Sequence, residues 1–292
     1  MTAAGFIKIL VPITLFEMMV AVGLGVSLAE LTAAARNWRL ATKAALANYL
    51  CVPAATVGLL LLFKPADAMV AAGFLILAVC PGAPFGPGCT RLARGNAASA
   101  VGLMVLLASS SAIAAPLLLH GLLPLMSGSE TLHVDAGQIV MTLLATQLAP
   151  LCLGLGVRHG LPGLANRLQR PANIVSAVLN LATFGVVLVV YFPLLAEIRL
   201  RGYVGMLALL VTSWAAGWLL GGPGSENRRA LALTTSLRNV GVGLMIATGN
   251  FGGTAAVTAV LAYGIFEIAG SLLLALAWGQ VRPAPQKTTS IT

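Results

Sequence analysis

Apolar runs alternate with short polar breaks along the whole chain. Each run is long enough to cross a bilayer as an α-helix, which takes about 20 mostly apolar residues. The runs predict nine helices, at about 5–30, 38–63, 67–95, 97–122, 134–158, 171–197, 201–221, 227–250 and 253–281. The breaks fall at 36–39, 64–67, 94–96, 127–130, 158–171, 197–202, 221–229 and 252–253. This pattern predicts an all-α polytopic membrane protein with about nine transmembrane helices.

Two of the predicted helices are interrupted near their middle. Residues 80–88 of the third contain three prolines and three glycines, which cannot continue an α-helix. Residues 238–243 of the eighth, Arg-Asn-Val-Gly-Val-Gly, are polar and glycine-rich. Non-helical backbone inside a bilayer must be buried in protein or line a watered cavity, so both breaks should face a central site. Interrupted helices at corresponding places in two halves predict an inverted-repeat secondary transporter.

Composition and charge agree with this class of protein. The chain is 59% hydrophobic and 9% charged, with a mean hydropathy of +0.96, which excludes an ordinary soluble domain. Its net charge of +9 does not indicate nucleic-acid binding, because the cations lie in the breaks between helices. With the amino terminus outside, twelve of the cations lie on the inner side: Arg36, Arg39, Lys43, Arg91, Arg94, Arg158, Arg167, Arg170, Arg228, Arg229, Arg282 and Lys287.

Only four cations fall on the outer side under the same arrangement: Lys8, Lys64, Arg199 and Arg201. By the positive-inside rule, this asymmetry predicts a multi-pass protein of the plasma (inner) membrane with an outer amino terminus and a cytoplasmic carboxyl terminus.

The sequence contains no HExxH motif, no GxSxG motif and no pair of intramembrane aspartates, so it predicts no enzyme activity. The four cysteines form no CxxC motif and have no nearby histidine, so no metal site and no cofactor are expected.

Several motifs resemble the bile acid:sodium symporter family. Cys80-Pro81-Gly82 matches the start of the family motif Cys-Pro-Gly-Gly-Thr-Ala-Ser-Asn, and residues 91–96 match a Leu-Ala-Arg-Gly-Asn pattern at the same distance. Further similarities lie at 23–28, 238–241 and 270–273. The resemblance covers nearly the whole chain.

The resemblance implies a core domain and a panel domain within one transmembrane unit, 1–281. The core would comprise about 38–122 and 201–281, and the panel about 5–30 and 134–197. From its prolines and polar residues, 282–292 is expected to form a disordered cytoplasmic tail. The resemblance also implies alternating access between core and panel, with an organic anion bound where the broken helices cross.

The expected substrate is a small organic anion. Bile-acid-like steroids, short monocarboxylates and pantothenate-type precursors all fit such a site. The half-helices that start near Gly88 and Asn239 would direct N–H groups at the crossing. By the resemblance, Asn239 is the foremost substrate contact, although it could instead only cap its helix. The further candidate contacts are Arg238, Glu267, Thr90, Thr234 and Pro84.

The chain departs from the family at the positions that bind sodium. The positions of the family's first sodium site correspond to Gly86, Pro87 and Thr234, none of which supplies a carboxylate. Those of the second fall on Asn48 and Arg238. We therefore expect Arg238 to stand where sodium would bind, which argues against sodium dependence. A sodium symporter with a rearranged site remains an alternative.

Three ionisable residues fall inside predicted spans, where a charge costs about 2.5–3.5 kcal/mol on insertion scales. Arg238 and Glu267 are predicted to pair, either as a coupling element or as a static salt bridge. Glu17 is a candidate proton carrier, unless it lies nearer the outer interface than the pattern suggests. Protons are thus a possible coupling ion, with Glu17, Glu267, Arg238 and Asn48 as coupling candidates. An uncoupled facilitator or a ligand sensor of the same fold is the other alternative.

Overall fold

The protein is built from helices joined by short loops. The computed structural model describes residues 3–65, 67–126, 132 and 134–280, and these residues contain no strand. The first six helices are α1 (Ala3–Gly25), α2 (Leu28–Arg36), α3 (Trp38–Phe63), α4 (Ala68–Ala78), α5 (Gly86–Leu92) and α6 (Ala97–Met126). The remaining six are α7 (Ala136–Gly160), α8 (Pro162–Ala196), α9 (Leu200–Leu220), α10 (Ser225–Ser236), α11 (Val240–Phe251) and α12 (Ala255–Gln280).

The helices confirm the predicted fold class. Within the described ranges, eight helical segments are long and apolar enough to cross a membrane, counting α10 and α11 as one segment. The third predicted span, 67–95, is divided between the short apolar helix α4 and the helix α5. The chain is therefore an all-α polytopic membrane protein.

Two helix boundaries differ from the predicted ones. The first helix ends at Gly25 and not near residue 30, because Ser27 begins a new helix with a capping box. The Ser27 side chain accepts from the Glu30 N–H at 3.3 Å, and the Ser27 N–H donates to the Glu30 carboxylate at 2.8 Å. The break predicted over 158–171 is also wrong. Only Leu161 separates α7 from α8, because Pro162 takes a position in the first turn of α8, where its missing N–H costs nothing.

Two of the long helices contain a widened π-turn. These turns span Ala47–Cys51 in α3 and Leu144–Leu148 in α7, and each lies just before a proline, Pro53 or Pro150. A proline inside a helix lacks an N–H and its ring clashes with the carbonyl four residues earlier. A widened turn accommodates both defects, and such turns are frequent at functional sites.

Both predicted helix interruptions are present. The first lies between α4 and α5, and the second between α10 and α11. In the first, Gly82 has a φ of +88°, and a Cβ at this position would lie 2.5 Å from the backbone nitrogen of Ala108 on α6. Only glycine fits both this conformation and this close approach. The first break is therefore pressed directly against α6.

The helices pack in two groups that touch each other along several helices. In one group, α1 packs against α7 and α8. In the other, α4 packs against α12 and α9 packs against α10. The groups meet where α1 contacts α11, where α8 contacts α12 and where α7 contacts α6. The segments α3–α6 and α9–α12 each follow the order long helix, interrupted helix, long helix. The assignment of these groups to a panel and a core stays a prediction.

Some predicted features lie outside the described residues. They are the cations Arg282 and Lys287, the predicted tail at 282–292 and the predicted break at 127–130. The membrane orientation, which partly rests on those two cations, stays a prediction as well.

Candidate functional site

The two helix breaks meet in the interior of the protein. The backbone N–H of Asn239 in the second break donates to the carbonyl of Cys80 in the first, at 2.7 Å. Both residues are buried. Because a broken helix leaves main-chain groups unpaired, this hydrogen bond satisfies one group from each break. It also fixes the two breaks against each other and so defines the crossing.

Arg238 lies at the centre of the crossing and is only 2% exposed. Its guanidinium Nη1 donates to the Oδ1 of Asn48 on α3 at 3.0 Å. The Nη2 atom is buried and has no hydrogen-bond partner among the described residues. A full cation therefore stands at the crossing with one donor group unused.

The contact between Arg238 and Glu267 differs from the predicted side-chain pair. The Glu267 carboxylate is completely buried on α12 and accepts from the main-chain N–H of Arg238 at 2.7 Å. Its second oxygen has no hydrogen-bond partner within the described chain. The opposite charges are near enough to attract each other, but the hydrogen bond runs through the backbone. Glu267 thus fixes the backbone of the second break, and the guanidinium is directed to Asn48.

Asn48 joins α3 to the second break. Its Nδ2 donates to the hydroxyl of Thr235 at 3.3 Å and to the carbonyl of Ala44 at 2.9 Å, while its Oδ1 receives Arg238. The π-turn of α3 contains Asn48, and the side chain is completely buried. The amide oxygen and the amide nitrogen of Asn48 are therefore both hydrogen-bonded. The oxygen bonds to Arg238 within the second break, and the nitrogen bonds to Thr235 just before it.

Asn239 caps α11 and also retains a free donor. Its Oδ1 accepts from the N–H of Val242 at 3.2 Å, which is an N-cap contact. Its Nδ2 is buried without a hydrogen-bond partner in the part of the chain described. A Cβ on the nearby Gly241 would lie 3.4 Å both from Asn239 Oδ1 and from the Met18 methyl group on α1. The start of α11 therefore faces α1, across the line where the two helix groups meet.

The remaining candidate contacts lie around the first break. Thr234 is buried beside Gly86, and its hydroxyl has no partner among the described residues. Thr90 is also buried, but its hydroxyl donates to the carbonyl of Gly86 at 2.9 Å within α5. Pro84 is half-buried in the turn before α5. Of these three residues, Thr234 is the one with an unused polar group.

Glu17 belongs to a different polar cluster. It is half-buried on α1 and lies close to Ser176 on α8, with one carboxylate oxygen buried and unpartnered within the described ranges. One turn earlier, the hydroxyls of Thr14 and Thr183 lie 2.6 Å apart. Glu17 therefore sits in the interface between α1 and α8, whereas Arg238 and Glu267 occupy the crossing.

One polar residue near the crossing did not emerge from the sequence. Gln147 is completely buried in the π-turn of α7, and its Nε2 donates to the carbonyl of Ala108 and to the Ser111 hydroxyl. In the sequence, this position is marked only by a glutamine inside an apolar run, three residues before Pro150.

Comparison with known proteins identifies the family. Residues 12–198, more than half of the chain, match the model of the Sodium Bile acid symporter family. The chain belongs to this family. The matched region contains Glu17, Asn48 and the first break, and the second break lies beyond it.

A relative in Bacillus subtilis (strain 168) supports the same family. The chain is 24% identical over 238 residues to the protein described as the uncharacterized sodium-dependent transporter YocS. The match covers 78% of this chain and 70% of the relative. Membership of the sodium bile acid symporter family makes this chain a multi-pass secondary transporter of a small molecule, and the family comprises transporters and not enzymes.

Proposed function

We propose that this member of the sodium bile acid symporter family carries a small organic anion by alternating access, with Arg238 as a built-in cation at the crossing. The observation that carries the proposal is the position of Arg238, which is buried in the second break with no partner for Nη2 among the described residues. An unpaired buried donor costs about 1–3 kcal/mol or more when charged, so a partner that accepts from it would be favoured.

The polarity of the crossing suits an anion. Arg238 Nη2 and Asn239 Nδ2 are buried donors without partners among the described residues. Both lie at the amino-terminal end of α11, where the helix dipole favours negative charge. A carboxylate or sulfonate could accept from both groups, and hydrogen bonds to charged groups contribute about 1.5–3 kcal/mol.

The crossing offers few oxygen ligands for a sodium ion. A hard cation needs several oxygen ligands. At the positions that match the family's first sodium site, Gly86 and Pro87 have no side-chain oxygen and Thr234 offers only a hydroxyl. At the second, the Asn48 oxygen already accepts from Arg238. A sodium ion there would also be repelled by the guanidinium, so we propose transport without sodium.

The test is uptake by the purified protein reconstituted in liposomes. Radiolabelled taurocholate, pyruvate and pantothenate represent the three substrate classes, each supplied in sodium or choline buffer of equal ionic strength. We expect at least one anion to enter at equal rates in both buffers, and Asn239→Ala to slow its uptake. Faster uptake in sodium for every transported anion would contradict the role of Arg238. Absence of uptake for all anions would contradict the substrate class.

A second candidate function is uncoupled, facilitated diffusion. Arg238 and Glu267 carry opposite charges fixed in the protein, and a fixed cation cannot supply the energy of an ion gradient. The same liposomes distinguish the two functions. A facilitator equilibrates the anion and stops, whereas a proton-coupled carrier concentrates it when a pH gradient is imposed. If uptake exceeds equilibrium only with a pH gradient and Glu17→Gln abolishes the excess, Glu17 carries the proton.

A further inference from the structure

The π-turn of α7 contacts two helices of the other group, α6 and α11. Gln147 in this turn donates to the carbonyl of Ala108 on α6, the residue whose backbone nitrogen faces Gly82 in the first break. Its neighbour Thr146 donates to the sulfur of Met245 on α11, which follows the second break, at 3.3 Å. Two successive residues of α7 therefore hydrogen-bond to the other helix group. Gln147 bonds to α6 beside the first break, and Thr146 bonds to α11 beyond the second.

The surroundings fix the orientation of the Gln147 amide. The Ser111 hydroxyl donates to the carbonyl of Ala108 at 2.8 Å, so the oxygens of both residues can only accept from Gln147. The amide nitrogen must face them, at 3.1 Å from the Ser111 oxygen. The amide oxygen therefore lies on the opposite side, where it is buried and has no donor among the described residues.

We infer that Gln147 is a specificity-determining residue that accepts a hydrogen bond from a hydroxyl or amide N–H of the transported anion. This inference rests on the proposed function. Among the described residues, Arg238 and Asn239 have unused donors for the anionic group, and Gln147 has an unused acceptor on the opposite helix group. An anion that also carries a hydrogen-bond donor complements all three groups, whereas an anion without one leaves the Gln147 oxygen unpaired.

The inference requires the two helix groups to separate during transport. Gln147 is completely buried in this conformation, on the line where α7 contacts α6. A substrate that enters between the groups as they open reaches the unpartnered amide oxygen. The contacts of Nε2 with Ala108 and Ser111 orient the amide until α7 separates from α6. A substrate without a hydrogen-bond donor leaves the buried Gln147 oxygen unpaired, and the free-energy cost of this weakens its binding.

The experiment compares pairs of anions that differ only in hydroxyl groups. Cholate is paired with 5β-cholanate, and 2-hydroxy-3-methylbutanoate with 3-methylbutanoate, and the dissociation constant of each is measured with the purified protein. We expect the wild type to prefer the hydroxylated member of at least one pair by about tenfold, since about 1.4 kcal/mol corresponds to a factor of ten. Gln147→Met, which keeps the length and removes both polar atoms, is expected to abolish this preference.

Two matched variants separate recognition from structural support. Ser111→Ala removes one partner of Nε2 but leaves the Gln147 oxygen, so it is expected to retain the preference. Gln138→Met makes the same substitution at an exposed position of α7 and should behave as the wild type. Should Gln147→Met fail to fold, Gln147→Asn withdraws the oxygen by one methylene and should reduce the preference.

The possible results lead to different conclusions. If Gln147→Met weakens both members of a pair equally, or if the wild type shows no preference, Gln147 does not read the substrate and the inference is overturned. If no anion of either kind binds to the wild type, the proposed function fails, and the inference fails with it. Loss of the preference in Gln147→Met alone supports the assignment.

Discussion

The charge balance at the crossing depends on Arg238 and Glu267 together. The Glu267 carboxylate bonds to the main chain of Arg238, so truncating the arginine side chain keeps this hydrogen bond. It removes the compensating charge and the guanidinium hydrogen bond to Asn48. Removing one partner of a buried ion pair costs about 3–5 kcal/mol. We expect Arg238→Gln to lower the thermal unfolding midpoint of the purified protein, and the double variant with Glu267→Gln to recover most of the loss.

A double-mutant cycle of unfolding midpoints measures this coupling. Arg199→Gln is the matched control, since Arg199 is exposed just before α9 and its loss should leave the midpoint unchanged. If the losses in the two single variants simply add in the double variant, the two charges do not stabilise each other. The crossing would then owe its stability to main-chain hydrogen bonds alone.

Gly82 is the residue that brings the first break against α6. Its φ of +88° is unfavourable for a residue with a side chain, and a Cβ would lie 2.8 Å from the Ala108 side chain. Overpacking of a tight contact costs about 1–3 kcal/mol. We therefore expect Gly82→Ala to lower the unfolding midpoint and to slow anion uptake.

The control for this prediction is Gly88→Ala. A Cβ at Gly88, in α5, meets no atom within 4 Å and the residue is helical, so alanine should be neutral or slightly stabilising there. Equal behaviour of the two variants in thermal unfolding would show that the break yields to a side chain at Gly82.

At the scale of helices, α2 connects α1 to α3 and so joins the two helix groups. It packs against α6, and it begins with the capping box of Ser27 and Glu30. Loss of an N-cap side chain costs about 0.5–2 kcal/mol. We expect Ser27→Ala to lower the unfolding midpoint. Thr32→Ala, which removes an exposed hydroxyl bonded to its own helix, should have less effect. A larger loss with Thr32→Ala would contradict the role of the capping box.

The sequence predicts the helices and their interruptions well because both depend on local properties. Apolar runs mark the spans, and three closely spaced prolines forbid a helix wherever they fold. The end of α1 was missed because Ser27 and Glu30 lie within an apolar stretch that reads as one continuous helix. A capping box is a local signal, so this helix boundary is encoded in the sequence itself.

The partners within the site could not be predicted from the sequence. Asn48 and Arg238 are 190 residues apart, and only the tertiary fold brings them together. The pairing of Glu267 with a main-chain N–H depends on the backbone geometry of the break, which residue types do not reveal. Gln147 was missed for the same reason, because a lone glutamine in an apolar run indicates no partner.

For the whole molecule, alternating access predicts relative motion between the two helix groups. Within one group, Thr14 on α1 and Thr183 on α8 have hydroxyls 2.6 Å apart. Between the groups, Thr146 on α7 contacts Met245 on α11 at 3.3 Å. The two contacts are comparably close, yet only the second should change when the transporter opens. A reversible link across each contact therefore tests the motion directly.

We expect a link between the groups to stop transport and a link within a group to leave it intact. Cysteine pairs T146C/M245C and T14C/T183C are joined with a short bifunctional methanethiosulfonate, in a background where the exposed Cys152 and the half-buried Cys51 are replaced by alanine. Anion uptake should fall to background for the first pair and return when dithiothreitol cleaves the link. Undiminished uptake with the first pair fully linked would show that α7 and α11 move together, and the division into two moving groups would be wrong.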